Sequence, residues 1–310
     1  GLLLAVYIGG LMQPIKAQTK DNLKGEISLS GAFALYPMVV KWAEEFKKIH
    51  PNVRIDISGG GAGKGMTDAL AKVVDLGMVS RDVHDVEFKK GAVAFAVVKD
   101  AVVPTVNAAN PLIRDIKAKG LKRNVALSLW SGKCKTWGNV LGTTSKVPVH
   151  VYTRSDACGA AETWAAWFGK RQEDLEGTAV FGDPGVASAV QKDKVGIGFN
   201  NIAYAYDQKT RRPYAGLAII PLDVNGNGKI DPEEKFYDNS LSLIKAIVSG
   251  KYPSPPARNL FLVSNGVPKK PEVIEFIKYI LTEGQKYANA TGYIGLSKIT
   301  INQELAKLKK

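Results

Sequence analysis

The feature that most constrains the fold is a repeated order of short strand, small-residue loop and amphipathic helix. Loops of glycine and alanine at 31–35, 59–65 and 157–161 each follow a predicted strand and precede a predicted helix. This order is typical of α/β proteins, in which helices flank a mostly parallel sheet. With 310 residues, the chain is long enough for about two such units.

The predicted elements suggest two lobes with a cleft between them. The chain crosses between the lobes twice, near residues 101–107 and near residues 217–224. We therefore expect one lobe from residues 25–105 plus 220–310 and another from residues 106–219, each a mixed sheet flanked by helices. Residues 1–24 are expected to form an apolar export or anchor segment and a linker.

The three loops are candidate anion sites, because backbone N–H groups at a helix N-terminus bind anions. Arginine forks suit tetrahedral oxyanions, and Arg154 and Arg81 lie close to these loops. The alternative is that the glycines serve close packing against the sheet. The predicted anion-binding residues are backbone groups and side chains of Ala34, Ala62, Gly63, Ser80, Arg81, Arg154, Cys158 and Gly159.

Residues 223–234 match the spacing of an EF-hand calcium loop. Oxygen ligands fall at positions 1, 3, 5, 9 and 12, glycine at 6 and isoleucine at 8. The predicted Ca²⁺ ligands are Asp223, Asn225, Asn227, Lys229 (through its carbonyl), Asp231 and Glu234. The flanks are poor amphipathic helices, so we expect an isolated structural loop; an acidic surface turn is the alternative.

Several classes of function are not indicated. The net charge of +13 comes from dispersed basic residues, without an arginine-rich arm or zinc-finger spacing, so no nucleic-acid partner is expected. Three histidines without an HExxH motif, and no GxSxG or P-loop, give no catalytic set, so we expect a protein that is not an enzyme. Cys134 and Cys158 fit a disulfide or two free thiols equally well.

The apolar run at residues 1–12 is too short to span a bilayer and has the length of a signal-peptide core. It predicts export to the periplasm, cell surface or extracellular space. As a retained segment it could associate with a membrane, contact a neighbouring copy or add a strand to that copy's sheet.

Longer motifs resemble the periplasmic or extracellular phosphate-binding proteins of ABC importers. They are 41–48 (KWAEEFKK), 74–81 (VDLGMVSR), 130–137 (WSGKCKTW), 154–159 (RSDACG), and 279–286 (YILTEGQK) with 292–297 (GYIGLS). The resemblance spans about residues 27–297. It implies a two-lobed type II binding-protein fold that closes on an oxyanion.

When the chain is matched to the family's motif, Arg154 and Asp156 are kept, and the resemblance adds Asp156 to the predicted anion-binding residues. Ser80 and Arg81 match a Ser-Arg variant, whereas most hydroxyl donors are replaced. Ala32, Phe33 and Ala34 stand in the first loop, Ala62 and Gly63 in the second, and Ala157, Cys158, Gly159 and Ala160 in the third.

The main hypothesis is an exported solute-binding protein that delivers an oxyanion, phosphate above others, to an ABC permease. The alternative is a structural subunit of an extracellular filament or surface assembly, in which neighbouring copies are joined through the apolar N-terminal segment.

Overall fold

A computed structural model describes residues 22–309, and within that range it contains nine strands and twelve α-helices. The strands are β1 (Gly25–Gly31), β2 (Val53–Gly59), β3 (Leu76–Val79), β4 (Ala92–Asn107), β5 (His150–Arg154), β6 (Thr178–Val180), β7 (Gly196–Asn201), β8 (Leu217–Ile219) and β9 (Ala257–Asn265). The helices are α1 (Tyr36–Ile49), α2 (Ala62–Leu70), α3 (Asp85–Lys89), α4 (Ile113–Lys119), α5 (Arg123–Trp130), α6 (Trp137–Leu141), α7 (Gly159–Trp167), α8 (Gly182–Lys192), α9 (Ile202–Ala205), α10 (Ser240–Val248), α11 (Pro271–Leu281) and α12 (Lys298–Ala306).

The strands form two mixed half-sheets joined by β4, in the order β2-β1-β3-β9-β4-β7-β5-β6 with β8 on β4. In the first half-sheet β1 is parallel to β2 and β3, and β9 is antiparallel to β3 and β4. In the second, β5 is parallel to β6 and β7, and β4 is antiparallel to β7 and β8. β4 pairs with β9 up to Ala101 and with β7 from Val102 onwards, so one strand belongs to both lobes.

The cores follow the half-sheets. One cluster contains the first half-sheet with α1 and α11, and the other contains the second half-sheet with α5 and α7. We call residues 22–101 and 257–309 lobe 1, and residues 102–256 lobe 2.

The return to lobe 1 differs from the predicted boundary. Residues 220–256 were assigned to lobe 1 together with β9 and the C-terminal helices, but Ile220, Leu222, Leu243 and Tyr252 pack in the lobe 2 core. The physical reason is β8, which pairs with the end of β4 and fixes the following segment to the second half-sheet. The chain re-enters lobe 1 only at Ala257.

Helix α1 shows how the local pattern gives the packing. Its apolar residues recur every three or four positions, and Val39, Trp42 and Phe46 are fully buried. The Trp42 indole N–H donates to the Gly284 carbonyl at 2.9 Å. Pro37 lies in the first turn, where its missing N–H costs no helical hydrogen bond.

Two predicted boundaries shifted. The apolar pattern predicts separate strands at 92–98 and 101–106, but the structure has one strand, β4, with a register irregularity between Ala96 and Val98. The pattern also predicts a last helix from about Gln303, but the helix begins at Lys298, because the Ser297 hydroxyl accepts from the Thr300 N–H and caps it. None of the helices described between residues 22 and 309 is long and apolar enough to cross a membrane. The prediction for residues 1–12 lies outside the described residues.

Candidate functional site

The centre of the interlobe cleft is a buried arginine. Arg154 ends β5, and its side chain is 1% exposed. Its Nε and Nη2 donate to the two carboxylate oxygens of Asp156, at 2.8 and 2.6 Å, and its Nη1 donates to Asp183 Oδ2 at 2.6 Å. A guanidinium has five N–H donors. Two of them, one each on Nη1 and Nη2, therefore make no hydrogen bond to any residue between 22 and 309.

The charges in this cluster stabilise one another. Burial alone would lower the pKa of Arg154, but the carboxylates of Asp183 and Asp156 outweigh it and raise that pKa. Burial would raise the pKa of Asp156, but the hydrogen bond and charge of Arg154 outweigh it and hold that pKa below its usual range. One guanidinium between two carboxylates gives the cluster a net charge of about −1 when all three groups are ionised.

A polar chain connects this cluster to the strand that re-enters lobe 1. Asn201 donates to Asp183 through its backbone N–H at 2.9 Å and through its Nδ2 at 2.7 Å. Arg258 of β9 donates to Asn201 Oδ1 and, at 2.9 Å, to Asp100. Burial raises the pKa of Asp100, although Arg258 opposes the shift. The two strands that connect the lobes, β4 through Asp100 and β9 through Arg258, therefore share one hydrogen-bonded network with Arg154.

The small-residue loops let the two lobes touch. The Gly63 N–H, in the first turn of α2, donates to the Ala157 carbonyl of lobe 2 at 3.0 Å. Gly159, the first residue of α7, lies against Ser80 of lobe 1, so closely that a Cβ on Gly159 would be 2.0 Å from the Ser80 carbonyl oxygen. The N-termini of α2 and α7 thus meet in the cleft, and the Gly63 N–H is used in this contact between the lobes.

An aromatic pair covers the arginine. The guanidinium carbon of Arg154 lies 5.8 Å from the ring centre of Phe33, which is in lobe 1. The Phe33 ring makes an edge-to-face contact with Phe181 of lobe 2, at 5.6 Å between ring centres. The Tyr204 hydroxyl of lobe 2 donates to the Phe33 carbonyl at 3.0 Å. These contacts hold the lobes together above Arg154.

The structure brings together most of the predicted anion residues. Gly61, which precedes Ala62 and Gly63 at the start of α2, lies against Asp156 and Ala157, and Gly159, which follows Cys158 at the start of α7, lies against Ser80.

Four predicted residues have other partners. The Gly63 N–H donates to Ala157, and the Cys158 N–H donates to Gln172 Oε1 at 3.0 Å. Arg81 donates to both oxygens of Glu87, at 2.9 and 2.6 Å. Ala34 accepts at its carbonyl from the Tyr293 hydroxyl at 2.6 Å.

Both cysteines are free thiols and both are buried. Cys158 is the N-cap of α7, and its Sγ accepts from the Ala161 N–H at 3.3 Å. Burial raises the pKa of Cys158 to about 12 and also raises that of Cys134.

The 223–234 loop forms a tight turn closed by its own acidic residues. Asp223 accepts from the N–H groups of Gly226 and Gly228, each at 2.7 Å. Glu234 accepts from the N–H groups of Val224 and Asp231, at 2.9 and 3.1 Å. The Asn225 and Asn227 amides donate to Asp231, and Lys229 forms an ion pair with it. Among the residues that the structure describes, no three His, Cys, Asp or Glu side chains gather closely enough to hold a metal ion.

Sequence reasoning did not find Asp183 or Asn201, and it named Phe33 only as a replacement for a hydroxyl residue in the first loop. The only local signal at Asp183 is the following Pro184, which marks the start of α8. Its role depends on Arg154 and Asn201, which lie on β5 and β7, and no sequence spacing shows that these strands are adjacent.

The molecule has two α/β lobes connected by β4 and β9, with a buried arginine between two helix N-termini. This arrangement defines a class of protein that closes its lobes on a small ligand. The chain belongs to the PBP superfamily, whose domain model matches residues 16–283. The similar proteins are named as phosphate-binding proteins and as a transporter substrate-binding protein, not as enzymes.

The relatives agree with this assignment. The chain is 28% identical to the phosphate-binding protein PstS of Methanocaldococcus jannaschii, covering 94% of this chain and 88% of that protein. It is 24% identical to PstS of Staphylococcus aureus, covering 93% of this chain and 84% of that protein. A putative phosphate ABC transporter substrate-binding protein from Clostridium perfringens, solved with bound phosphate, superposes with a TM-score of 0.72 at 22% identity, covering 88% of this chain and all of that one. The type II fold expected from the resemblance is confirmed.

Proposed function

We propose that this protein is an exported solute-binding protein that captures phosphate in the interlobe cleft and delivers it to an ABC permease. The observation behind the proposal is Arg154, which is almost completely buried but has two N–H donors unused by the described residues. Buried donors are nearly always paired. A tetrahedral oxyanion between Arg154 and the N-termini of α2 and α7 would accept from them.

The net charge of the site favours phosphate over sulfate. A buried cluster with a charge of about −1 repels a dianion that has no proton. Phosphate retains at least one proton near neutral pH and can donate it to a neighbouring acceptor, whereas sulfate cannot. The relatives that are named as phosphate-binding proteins support the same ligand.

Calorimetric titration of ligand-stripped protein with phosphate, using sulfate as the comparison, tests the proposal. We expect binding of phosphate at least 100-fold tighter than of sulfate. Arg154→Lys keeps the positive charge but loses the planar fork, so we expect at least about 100-fold weaker phosphate binding. Arg171→Lys, at a 74% exposed side chain in the same lobe, should leave the affinity unchanged. Absence of phosphate binding by the wild-type protein would reject the proposal.

The filament or surface-assembly alternative is not favoured by the comparisons, and the segment on which it depends lies outside the described residues.

We also propose that the 223–234 loop binds Ca²⁺. Its oxygen-rich donor set and the spacing of its ligands support this, and Asp223 and Glu234 lie buried at its two ends. Binding would require these carboxylates to exchange their backbone N–H partners for the ion. We expect Ca²⁺, but not Mg²⁺ at equal concentration, to raise the unfolding midpoint of the protein.

A further inference from the structure

An acidic residue that reaches across the lobe boundary beside the cleft is not among the predicted anion ligands. Glu162 lies in the first turn of α7, in lobe 2, and its carboxylate is 36% exposed. Its Oε2 lies 3.2 Å from Arg81 Nε and its Oε1 lies 3.1 Å from His84 Nε2, both in lobe 1. A single carboxylate therefore bridges two cationic or potentially cationic groups of the opposite lobe.

The lobe 1 side of this contact is held in place before Glu162 reaches it. The Arg81 guanidinium is fixed by both oxygens of Glu87 and donates to the Asp82 carbonyl at 2.8 Å. His84 caps α3, and its backbone N–H donates to Glu87 at 2.8 Å. A fixed pair of partners lowers the side-chain entropy lost when an ion pair forms, which is the main cost of an exposed pair.

The contact lies in the wall of a groove between the lobes. A cavity of about 890 Å³ opens between the lobes, and Arg81, Glu162, Thr163 and Arg258 are among its walls. One helical turn before Glu162, Gly159 lies against Ser80 in the cleft. The Arg81–Glu162 contact is therefore part of the wall of this open groove, one helical turn from the point where Gly159 and Ser80 meet.

We infer that Glu162 is a positioning residue that holds the lobes closed, and that it sets the rate at which ligand leaves. It acts through Arg81 and His84 and does not contact the oxyanion. The inference rests on the proposed function for the identity of the ligand, but the lobe contact itself does not depend on that identity.

Stopped-flow release of phosphate from the Glu162→Gln variant tests the inference. An amide keeps the shape of the side chain and removes its charge. We expect phosphate dissociation about three- to tenfold faster than in the wild type, with the association rate unchanged within about twofold. Higher salt should accelerate dissociation from the wild type but not from the variant, because only the wild type has the ion pair to screen.

The matched control is Glu173→Gln, which removes a 63% exposed carboxylate paired within lobe 2. It should behave as the wild type. Dissociation rates and salt dependence that are equal in Glu162→Gln, Glu173→Gln and the wild type would overturn the inference.

A second measurement requires no ligand. Fluorophores on Lys47→Cys in lobe 1 and Lys170→Cys in lobe 2, both exposed positions, report the distance between the lobes. We expect a longer mean distance in ligand-free Glu162→Gln than in the wild type. If the wild type binds no phosphate, the proposed function fails, and this distance decides the inference: an unchanged distance overturns it and an increased distance supports it.

Discussion

Gly159→Ala tests whether the two lobes must meet as closely as they do. The added Cβ would lie 2.0 Å from the Ser80 carbonyl oxygen, a backbone atom of the other lobe, whereas real Cβ atoms keep at least about 3.0 Å. The lobes must therefore separate by about 1 Å at this point. A displacement of that size breaks a hydrogen bond of ordinary length.

The expected loss follows from the number of bonds affected. Breaking one hydrogen bond to a charged ligand costs about 1.5–3 kcal/mol, which corresponds to phosphate binding about 10- to 150-fold weaker. The folded protein should not be destabilised, because alanine is a better helix former than glycine by up to about 1 kcal/mol. Calorimetric titration measures the affinity, and urea denaturation measures the free energy of unfolding.

The control is Gly295→Ala in lobe 1, where the nearest atom to the added Cβ, Gln285 Oε1, lies 3.5 Å away. It should retain full affinity. Wild-type affinity in Gly159→Ala would refute the reasoning, because it would mean that ligand binding does not need this close approach. A decrease in both the phosphate affinity and the free energy of unfolding would refute it as well, because the substitution would then disturb the core of a lobe and not only the contact between the lobes.

Three further predictions concern other parts of the chain. Because burial raises the pKa of the Cys158 thiol to about 12, the thiolate fraction at pH 8 is about 10⁻⁴. A disulfide-exchange reagent should therefore titrate this thiol only after denaturation, and rapid reaction in the native protein would contradict the buried position. Glu234→Gln removes the twelfth ligand of the calcium loop, so the rise in unfolding midpoint on adding Ca²⁺ should disappear. The midpoint in chelator should fall slightly, because Glu234 accepts from two backbone N–H groups and a glutamine has only one acceptor oxygen; a Ca²⁺ response equal to wild type would reject the loop as the site. Phe276→Ala removes a fully buried ring in edge-to-face contact with Phe46, so it should lower the free energy of unfolding by about 3–5 kcal/mol. Ile299→Ala, at a 73% exposed side chain, should change that free energy by no more than about 0.5 kcal/mol, and equal effects of the two substitutions would contradict the assigned core.

Sequence reasoning reached the fold class because periodicity is a local property. The apolar spacing in α1 and the alternation in β2 can be seen within a dozen residues, and the structure has both elements. The lobe boundary was misplaced because β8 is only three residues long and its partner on β4 is more than 100 residues away. Short strands are defined by the strand they join, and that information is not local.

The candidate site shows the same division. The backbone positions at Gly63 and Gly159 followed from loops before helices, and Arg154 followed from its place beside one of them. The sequence could not show that Arg81 pairs with Glu87 rather than facing a ligand in the cleft, because the residues next to Arg81 in the chain are compatible with either contact. Nor could it show that Asp183 lies 2.6 Å from Arg154, since α8 and β5 are brought together only by the second half-sheet.

The place of β9 in the sheet has a consequence for the order in which the chain folds. β9 lies between β3 and β4 in the middle of the lobe 1 sheet, although it is the last strand to be synthesised. Until residue 265 has left the ribosome, β3 and the first half of β4 are unpaired edges, and the lobe 1 core lacks α11. Lobe 2, made of one continuous segment, has all of its strands before that point. A nascent chain stopped at residue 256 should therefore hold a folded lobe 2 beside an unfolded lobe 1, and the cleft is the last part of the molecule to form.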